Sequence, residues 1–123
     1  MRTMDPSIDA VGIVRDAVAS AMPEVGFTTT VPDPPPRGAH VMGWVQSATE
    51  RDFVYRPQVA LVCWGSSDAS AMALAMDCAA AVQRSVPGHP SLSQASVSSL
   101  SRDEFAPGGA ARYRLLLDLV INE

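Results

Sequence analysis

The segment from Gln58 to Trp64 places the strongest constraint on the fold. It reads Gln-Val-Ala-Leu-Val-Cys-Trp and is nearly apolar on both faces of an extended chain. A strand of this kind needs cover on both sides, so we expect it in the middle of a sheet. Gly65-Ser66-Ser67 follows at once and supplies a helix cap, and an alanine-rich helix is predicted from about Asp68 to Ser85.

The other patterns complete an α+β fold. A first helix is predicted from about Pro6 to Met22, with Asp5 as its N-cap. Further strands are predicted at Phe27–Val31, Ala39–Ser47, Ser91–Ser101 and Ala111–Ile121. The expected order is α-β-β-β-α-β-β in one domain, residues 1–123. Short connections favour a mostly antiparallel sheet of about five strands with both helices packed on one face.

Three connections are candidates for contact with other molecules. The segment Pro32 to Gly38 holds four prolines among seven residues and predicts a stiff, extended loop, which loses little entropy on docking. Thr49 to Asp52 is a polar hairpin tip, and Arg102 to Gly109 is a turn or protruding loop. Phe53, Tyr55 and Phe105 lie at or near these tips, where they either fold back onto the core or anchor an interface.

The charge argues against a nucleic-acid-binding protein. The net charge is −4, and cations are not clustered as phosphate neutralisation requires. No apolar run reaches the length of a membrane span, and the N-terminal segment has no leader pattern. We therefore expect no membrane association and a cytosolic or virion context.

The sequence contains no recognisable catalytic or metal-binding pattern. His40 and His89 are isolated, and neither has a second ligand at metal-binding spacing. Cys63 and Cys78 fall in a predicted buried strand and helix and are expected to be reduced core residues. No nucleophile signature, phosphate-binding loop or paired carboxylates stand out. The expectation is a protein that is not an enzyme and has no metal or cofactor.

The overall pattern resembles the tail terminator proteins of long-tailed, siphovirus-type bacteriophages. The resemblance rests on the N-terminal helix ending at Pro23, the strand Val59 to Gly65, the alanine-rich helix through Val86, and the closing strand Ala111 to Val120. It covers nearly the whole chain and includes no specific motif, so the resemblance does not separate a tail terminator from other neck and head-completion proteins.

This resemblance implies a structural virion protein of the tail and neck. Its copies would form a ring, expected to be a hexamer, that caps the tail tube and ends tube polymerisation. The implied partners are the tail tube protein and the head-tail connector protein, and genome DNA would only pass through the lumen. Alternatives are another neck component, such as a head-completion or connector protein, and a small α+β ligand-binding domain.

A closed ring needs two different complementary patches on each subunit. One patch is expected on the proline loop together with the hairpin tip, and the other around the loop that contains Phe105. The predicted interface residues are Pro34, Pro35, Arg37, Arg51, Asp52, Phe53 and Phe105.

Overall fold

The computed structural model describes residues 9–32, 34, 36–52, 54–104 and 110–122. The helices are α1 (Ala10–Ala21) and α2 (Asp68–Ser85), and a short 3-10 turn follows α2 at Val86–Gly88. The strands are β1 (Gly26–Thr28), β2 (His40–Arg51), β3 (Val54–Trp64), β4 (Leu92–Arg102) and β5 (Arg112–Asn122). The predicted α+β class and element order are confirmed.

The strands form one sheet in the order β1-β2-β3-β5-β4. Only β1 and β2 are parallel, and the other neighbouring pairs are antiparallel. The apolar strand β3 lies in the middle, as its sequence predicts. The sheet is therefore mixed, with a mostly antiparallel body and a short parallel strand at one edge.

Both helices cover the same side of the sheet, which we call the helix side. Alternation along β5 turns Leu115, Leu117, Leu119 and Ile121 toward the helices, and these four side chains are buried. They pack with Val14 and Val18 of α1 and with Leu74, Cys78 and Val82 of α2. We call the other side the open side; a second apolar cluster there consists of Met42, Val62 and Trp64, with Trp44 and Ala110 against it.

Helix α2 has the bounds that its sequence predicts, because both of its ends carry clear signals. The Ser67 side chain accepts a hydrogen bond from the Ser70 backbone N–H at 3.2 Å, and the Ser67 N–H donates to the Ser70 hydroxyl at 3.0 Å. This reciprocal cap satisfies two backbone groups of the first turn. Asp68 lies in the first turn and Arg84 in the last, where each opposes the helix dipole.

Helix α1 begins later than predicted. Its N-cap is Asp9, whose Oδ1 accepts a hydrogen bond of 2.9 Å from the Gly12 N–H, and the first helical residue is Ala10. The predicted N-cap Asp5 and first helical residue Pro6 lie outside the described residues. Both aspartates are suitable caps, and an apolar stripe that included Ile8 favoured the earlier one. Residues 1–8 lie outside the described part.

The hairpin of β2 and β3 is longer than predicted. Strand β2 continues to Arg51, which pairs with Val54, so the turn contains only residues 52 and 53. The presence of Pro57 argues against a strand there, yet Pro57 pairs with Ala48 of β2. Pro57 instead interrupts the pairing on the opposite edge of β3, where the pairing with β5 omits residues 56 and 57. Strand β1 is shorter than predicted and ends at Thr28, whose hydroxyl donates to the Thr30 carbonyl at 2.9 Å.

Candidate assembly surfaces

The predicted interface residues that the structure describes are exposed. Pro34 and Arg37 lie in the loop that joins β1 to β2, and Arg51 and Asp52 lie at the turn between β2 and β3. Pro35, Phe53 and Phe105 fall outside the described residues. Whether any of these residues contacts a neighbour stays a prediction.

The proline loop and the hairpin tip are not one patch. Strand β2 begins beside the loop at His40 and ends at the tip at Arg51, eleven residues later, a span of about 36 Å at the usual rise per residue. The loop between β4 and β5 lies instead at the proline-loop end, because Trp64 pairs with both His40 and Arg112. The expected grouping of the loop with the tip is therefore corrected by the strand register.

The hairpin tip presents its charges to solvent. Arg51 Nε lies 3.7 Å from Asp52 Oδ2, and both side chains are almost fully exposed. An ion pair this exposed contributes little to stability. Asp52 has a positive φ of 53°, which the tight turn requires and which Asp tolerates better than most residues. The two charges are thus displayed at the tip rather than used to hold the fold.

The sheet has an open edge on each side. Strand β4 pairs only with β5, and the described residues place no strand on its outer side. At the opposite edge, β1 covers only His40 to Met42, which leaves β2 without an outer strand partner from Gly43 to Arg51 in the described chain. Natural edge strands usually carry charges, prolines or bulges that discourage pairing. Both open stretches carry register irregularities, and the β2 stretch ends in Glu50 and Arg51. Neither stretch contains proline, and β4 has no charged residue before Arg102.

One row of aliphatic side chains crosses the sheet between these edges on the helix side. The register pairs Val45 with Val59, Val59 with Leu117, and Leu117 with Val97. Val59 and Leu117 are fully buried, whereas Val45 is 38% exposed and Val97 is 44% exposed. The row is therefore covered in its centre and open at both ends; we call it the valine row.

A polar row crosses the same level of the sheet on the open side. Gln58 is its centre: it accepts a hydrogen bond from the Gln46 amide at 3.0 Å and donates to the Asp118 carboxylate at 3.0 Å. The same Gln58 amide lies 3.5 Å from the Ser98 hydroxyl. These bonds join all four long strands, β2, β3, β5 and β4, so this polar row also reaches both edges.

The open side carries two tryptophans covered by arginines near the proline-loop end. The guanidinium of Arg112 lies 5.6 Å from the ring centroid of Trp64, and that of Arg114 lies 5.4 Å from the ring centroid of Trp44. Such cation–π contacts stabilise a stacked arrangement. Trp64 is buried while Trp44 is partly exposed, so the arginines present the polar surface here.

The solvent-facing side of α2 carries exposed apolar side chains. Met72 and Met76 lie one turn apart and are 40% and 54% exposed. Exposed alanines at positions 69 and 73 extend this face toward the helix N-terminus, and Asp77 is its nearest charge. Single exposed apolar residues are common, but a methionine pair on one helix face is suited to contact with a variable apolar surface.

The histidines serve the fold. The His40 ring lies edge-on to Trp64 with centroids 5.8 Å apart, and its Nε2 is 3.0 Å from the Thr28 hydroxyl. Burial holds the pKa of His40 below its usual value of 6.5. His89 Nδ1 accepts hydrogen bonds from the backbone N–H groups of Ser91 and Leu92 at 3.1 and 2.8 Å. Each ring therefore has a local structural partner.

The cysteines meet in the core. Cys63 and Cys78 are free and buried between β3 and α2. A hydrogen bond with Cys78, together with burial, raises the pKa of Cys63, so the thiolate is strongly disfavoured. Among the described residues no group of three or more His, Cys, Asp or Glu side chains could hold a metal ion.

Comparison with known protein families and with curated proteins gives no match to this sequence. No helix in the described ranges is long and apolar enough to cross a membrane.

The sequence alone did not reveal the two open edges or the valine row. Val45 was placed correctly on the face of β2 that includes Val41, but its row across the sheet depends on register, which a single strand does not reveal. The sequence suggests that Tyr55 lies at or near the hairpin tip. In the structure it is buried in the core, because β3 begins at Val54 and Tyr55 is already part of the strand. The serine alternation along β4 did indicate its solvated side.

Proposed function

We propose that this chain is a ring-forming assembly protein of the tail-terminator type. In this proposal a homohexameric ring caps the tail tube of a long-tailed bacteriophage, ends tube polymerisation and joins the tube to the head-tail connector. The observation that carries the proposal is the pair of open edges on opposite sides of one sheet. A ring built head to tail requires two different surfaces on each subunit, and the two edges are such surfaces.

Other surfaces would remain available to the tube and the connector. The exposed Met72 and Met76 lie on α2, on the outer surface of the helix layer. The proline loop and the hairpin tip lie at opposite ends of β2, so they point toward opposite ends of the long strands. A ring whose strands run along its axis would present one of these ends to the tube and the other to the connector.

The overall charge agrees with a channel through which DNA passes. The net charge of −4 gives no general attraction for phosphates. Transient passage requires weak contact, and an acidic ring meets that requirement.

Light scattering of the purified chain, alone and with tail tube protein, tests the proposal. The expected result is a hexamer in isolation, or a monomer that becomes a ring when tube protein is added. Electron microscopy of particles that lack the chain should then reveal over-long tail tubes. Tails of normal length that fail to join heads would instead identify a head-completion or connector protein.

A small cleft favours the ligand-binding alternative. It has a volume of about 330 Å³ and lies where Pro57 interrupts the pairing of β3 with β5. Its lining includes Arg56, Gln58 and Asp118, so a small polar ligand is the matching class. A chain that stays monomeric with every tail component, and whose melting temperature rises with a polar metabolite, would replace the ring proposal with this one.

A further inference from the structure

The two open edges of the sheet have matching lengths and matching chemistry. Strand β4 offers eleven residues, from Leu92 to Arg102. Strand β2 offers the stretch from Gly43 to Arg51, since β1 covers only its first three residues. Backbone N–H and C=O groups along such edges can bind a further strand.

We propose, building on the ring function above, that copies of this chain join by adding β4 of one copy to the outer edge of β2 in the next. The joint is antiparallel and places Val97 of one copy beside Val45 of its neighbour. The five-stranded sheet of each subunit then continues into the sheet of the next.

The direction of the joint follows from the strand directions. Neighbours alternate from β2 through β3 and β5 to β4, so β2 and β4 run in opposite directions. A rotation about an axis roughly parallel to the strands preserves these directions. The β4 strand of one copy therefore meets β2 of the next in antiparallel orientation, which continues the alternation already present in the subunit.

On the helix side, the valine row determines how β4 of one copy aligns with β2 of the next. Its ends, Val45 and Val97, lie at the same level of the sheet and are the half-exposed members of a row whose centre is buried. Pairing one end with the other covers both side chains and makes a cross-strand pair of β-branched residues, which stabilises antiparallel sheets. A slip of one residue would turn Val97 to the other face.

The polar row supplies an independent match on the open side. Within the subunit, Ser47 pairs with Gln58, Gln58 with Asp118, and Asp118 with Ser96. The proposed joint brings Ser96 of one copy to the level of Ser47 in the next, so hydroxyl groups meet across it. Apolar groups thus meet apolar groups on one face while polar groups meet polar groups on the other.

Register irregularities near Gln46 of β2 and in β4 affect both edges. A bulge discourages a flat strand from pairing, and it also increases twist and bending. A closed ring of continued sheets needs such bending, whereas an open stack would not. The joint is therefore expected to be curved, because the matched residues Val45, Ser47 and Val97 lie directly beside these irregularities.

Disulfide trapping tests the joint directly. The double variant Val45→Cys, Val97→Cys is oxidised with copper phenanthroline and separated on a non-reducing gel. Within one copy these positions are three strand spacings apart, about 14 Å. A disulfide needs Cα atoms within about 7 Å, so any bond between them must join two copies. The native cysteines Cys63 and Cys78 are buried and stay out of the reaction.

The expected product is a ladder of covalent oligomers up to the hexamer. An equimolar mixture of the two single variants should stop at dimers, because each copy then carries one introduced thiol and can form only one disulfide. The control Val45→Cys, Ser101→Cys uses an exposed residue of β4 on the open side, about 10 Å along the sheet from Val97, and should not cross-link. Circular dichroism of the reduced variants verifies that each is folded.

Three outcomes overturn the proposal in different ways. A hexamer by light scattering without cross-linking in the double variant would reject this joint and leave the ring function in place. A chain that is monomeric alone and with tube protein would reject both the joint and the ring function. Equal cross-linking of the Ser101→Cys control would reject the proposed register.

Discussion

Asp103 and Arg112 close the base of the loop between β4 and β5 through two hydrogen bonds in opposite directions. The Arg112 Nε donates to Asp103 Oδ2 at 2.7 Å, and the Asp103 backbone N–H donates to the Arg112 carbonyl at 3.0 Å. Both side chains are mostly buried, and the Arg112 guanidinium also covers Trp64. The loop that contains Phe105 therefore leaves the sheet from a fixed base.

Replacing Asp103 with alanine should lower the free energy of unfolding by about 1–3 kcal/mol, the range for a hydrogen bond to a charged group that leaves its partner unsatisfied. Denaturant unfolding followed by circular dichroism measures the change. The neighbouring Arg102 is a matched control, because its ion pair with Asp68 at 3.1 Å is about half exposed. Arg102→Ala should cost no more than about 1 kcal/mol. Equal losses in the two variants would contradict a structural role for the closed base.

Replacing two adjacent leucines of β5 with alanine should lower the free energy of unfolding by very different amounts. Leu117 is fully buried on the helix side, whereas Leu116 is partly exposed on the open side. Leu117→Ala should lower the free energy of unfolding by about 2–5 kcal/mol through lost burial and a cavity. Leu116→Ala should cost about 1 kcal/mol. Thermal and denaturant unfolding of both variants checks this, and a reversed order would refute the assignment of the two faces.

The His40 ring should make stability depend on pH in a defined direction. Burial lowers its pKa in the folded chain from 6.5, so the unfolded chain binds more protons between the two pKa values. The contribution is fully present above pH 6.5 and is lost as pH falls toward the folded pKa. Unfolding in denaturant at pH 7.5 and 5.5 should therefore show a smaller decrease for His40→Gln than for the natural chain. Because the carboxylates are common to both proteins, an identical decrease would exclude His40 as the cause.

The cysteines should be unreactive in the folded protein. Both Cys63 and Cys78 are buried, and the hydrogen bond with Cys78 raises the pKa of Cys63. Since the thiolate is the nucleophile, a thiol reagent at pH 8 should find no reactive group until the chain unfolds. Titration with a chromogenic disulfide reagent, with and without guanidinium, should release no colour in native buffer and both equivalents in denaturant. Rapid reaction in native buffer would contradict their burial.

The parts of the fold that carry local signals could be predicted from the sequence. The alternation along β5 gave its buried face, and the cap at Ser67 with the break at Pro87 gave both ends of α2. The start of α1 could not be chosen, because Asp5 and Asp9 are equivalent as local caps. The length of the hairpin could not be predicted either, since Pro57 is normally absent from a central strand and its cost depends on which neighbour it faces.

The candidate surfaces depend on longer-range information. Pro34, Arg37, Arg51 and Asp52 are exposed, and their predicted role at an interface stays a prediction. Their arrangement required the pairing of β2 with β3, which separates the proline loop from the tip. The valine row required three successive strand registers, and strand registers are set by tertiary packing as much as by local pattern.

The short parallel strand β1 limits where another chain can lie. It blocks the outer edge of β2 from His40 to Met42 and leaves the rest accessible. A strand arriving at this edge can slide toward the start of β2 only until it meets Thr28, so its range of positions is bounded on one side. Three residues at the margin of the sheet thereby act as a mechanical stop, and lengthening β1 would shorten the accessible edge by the same amount.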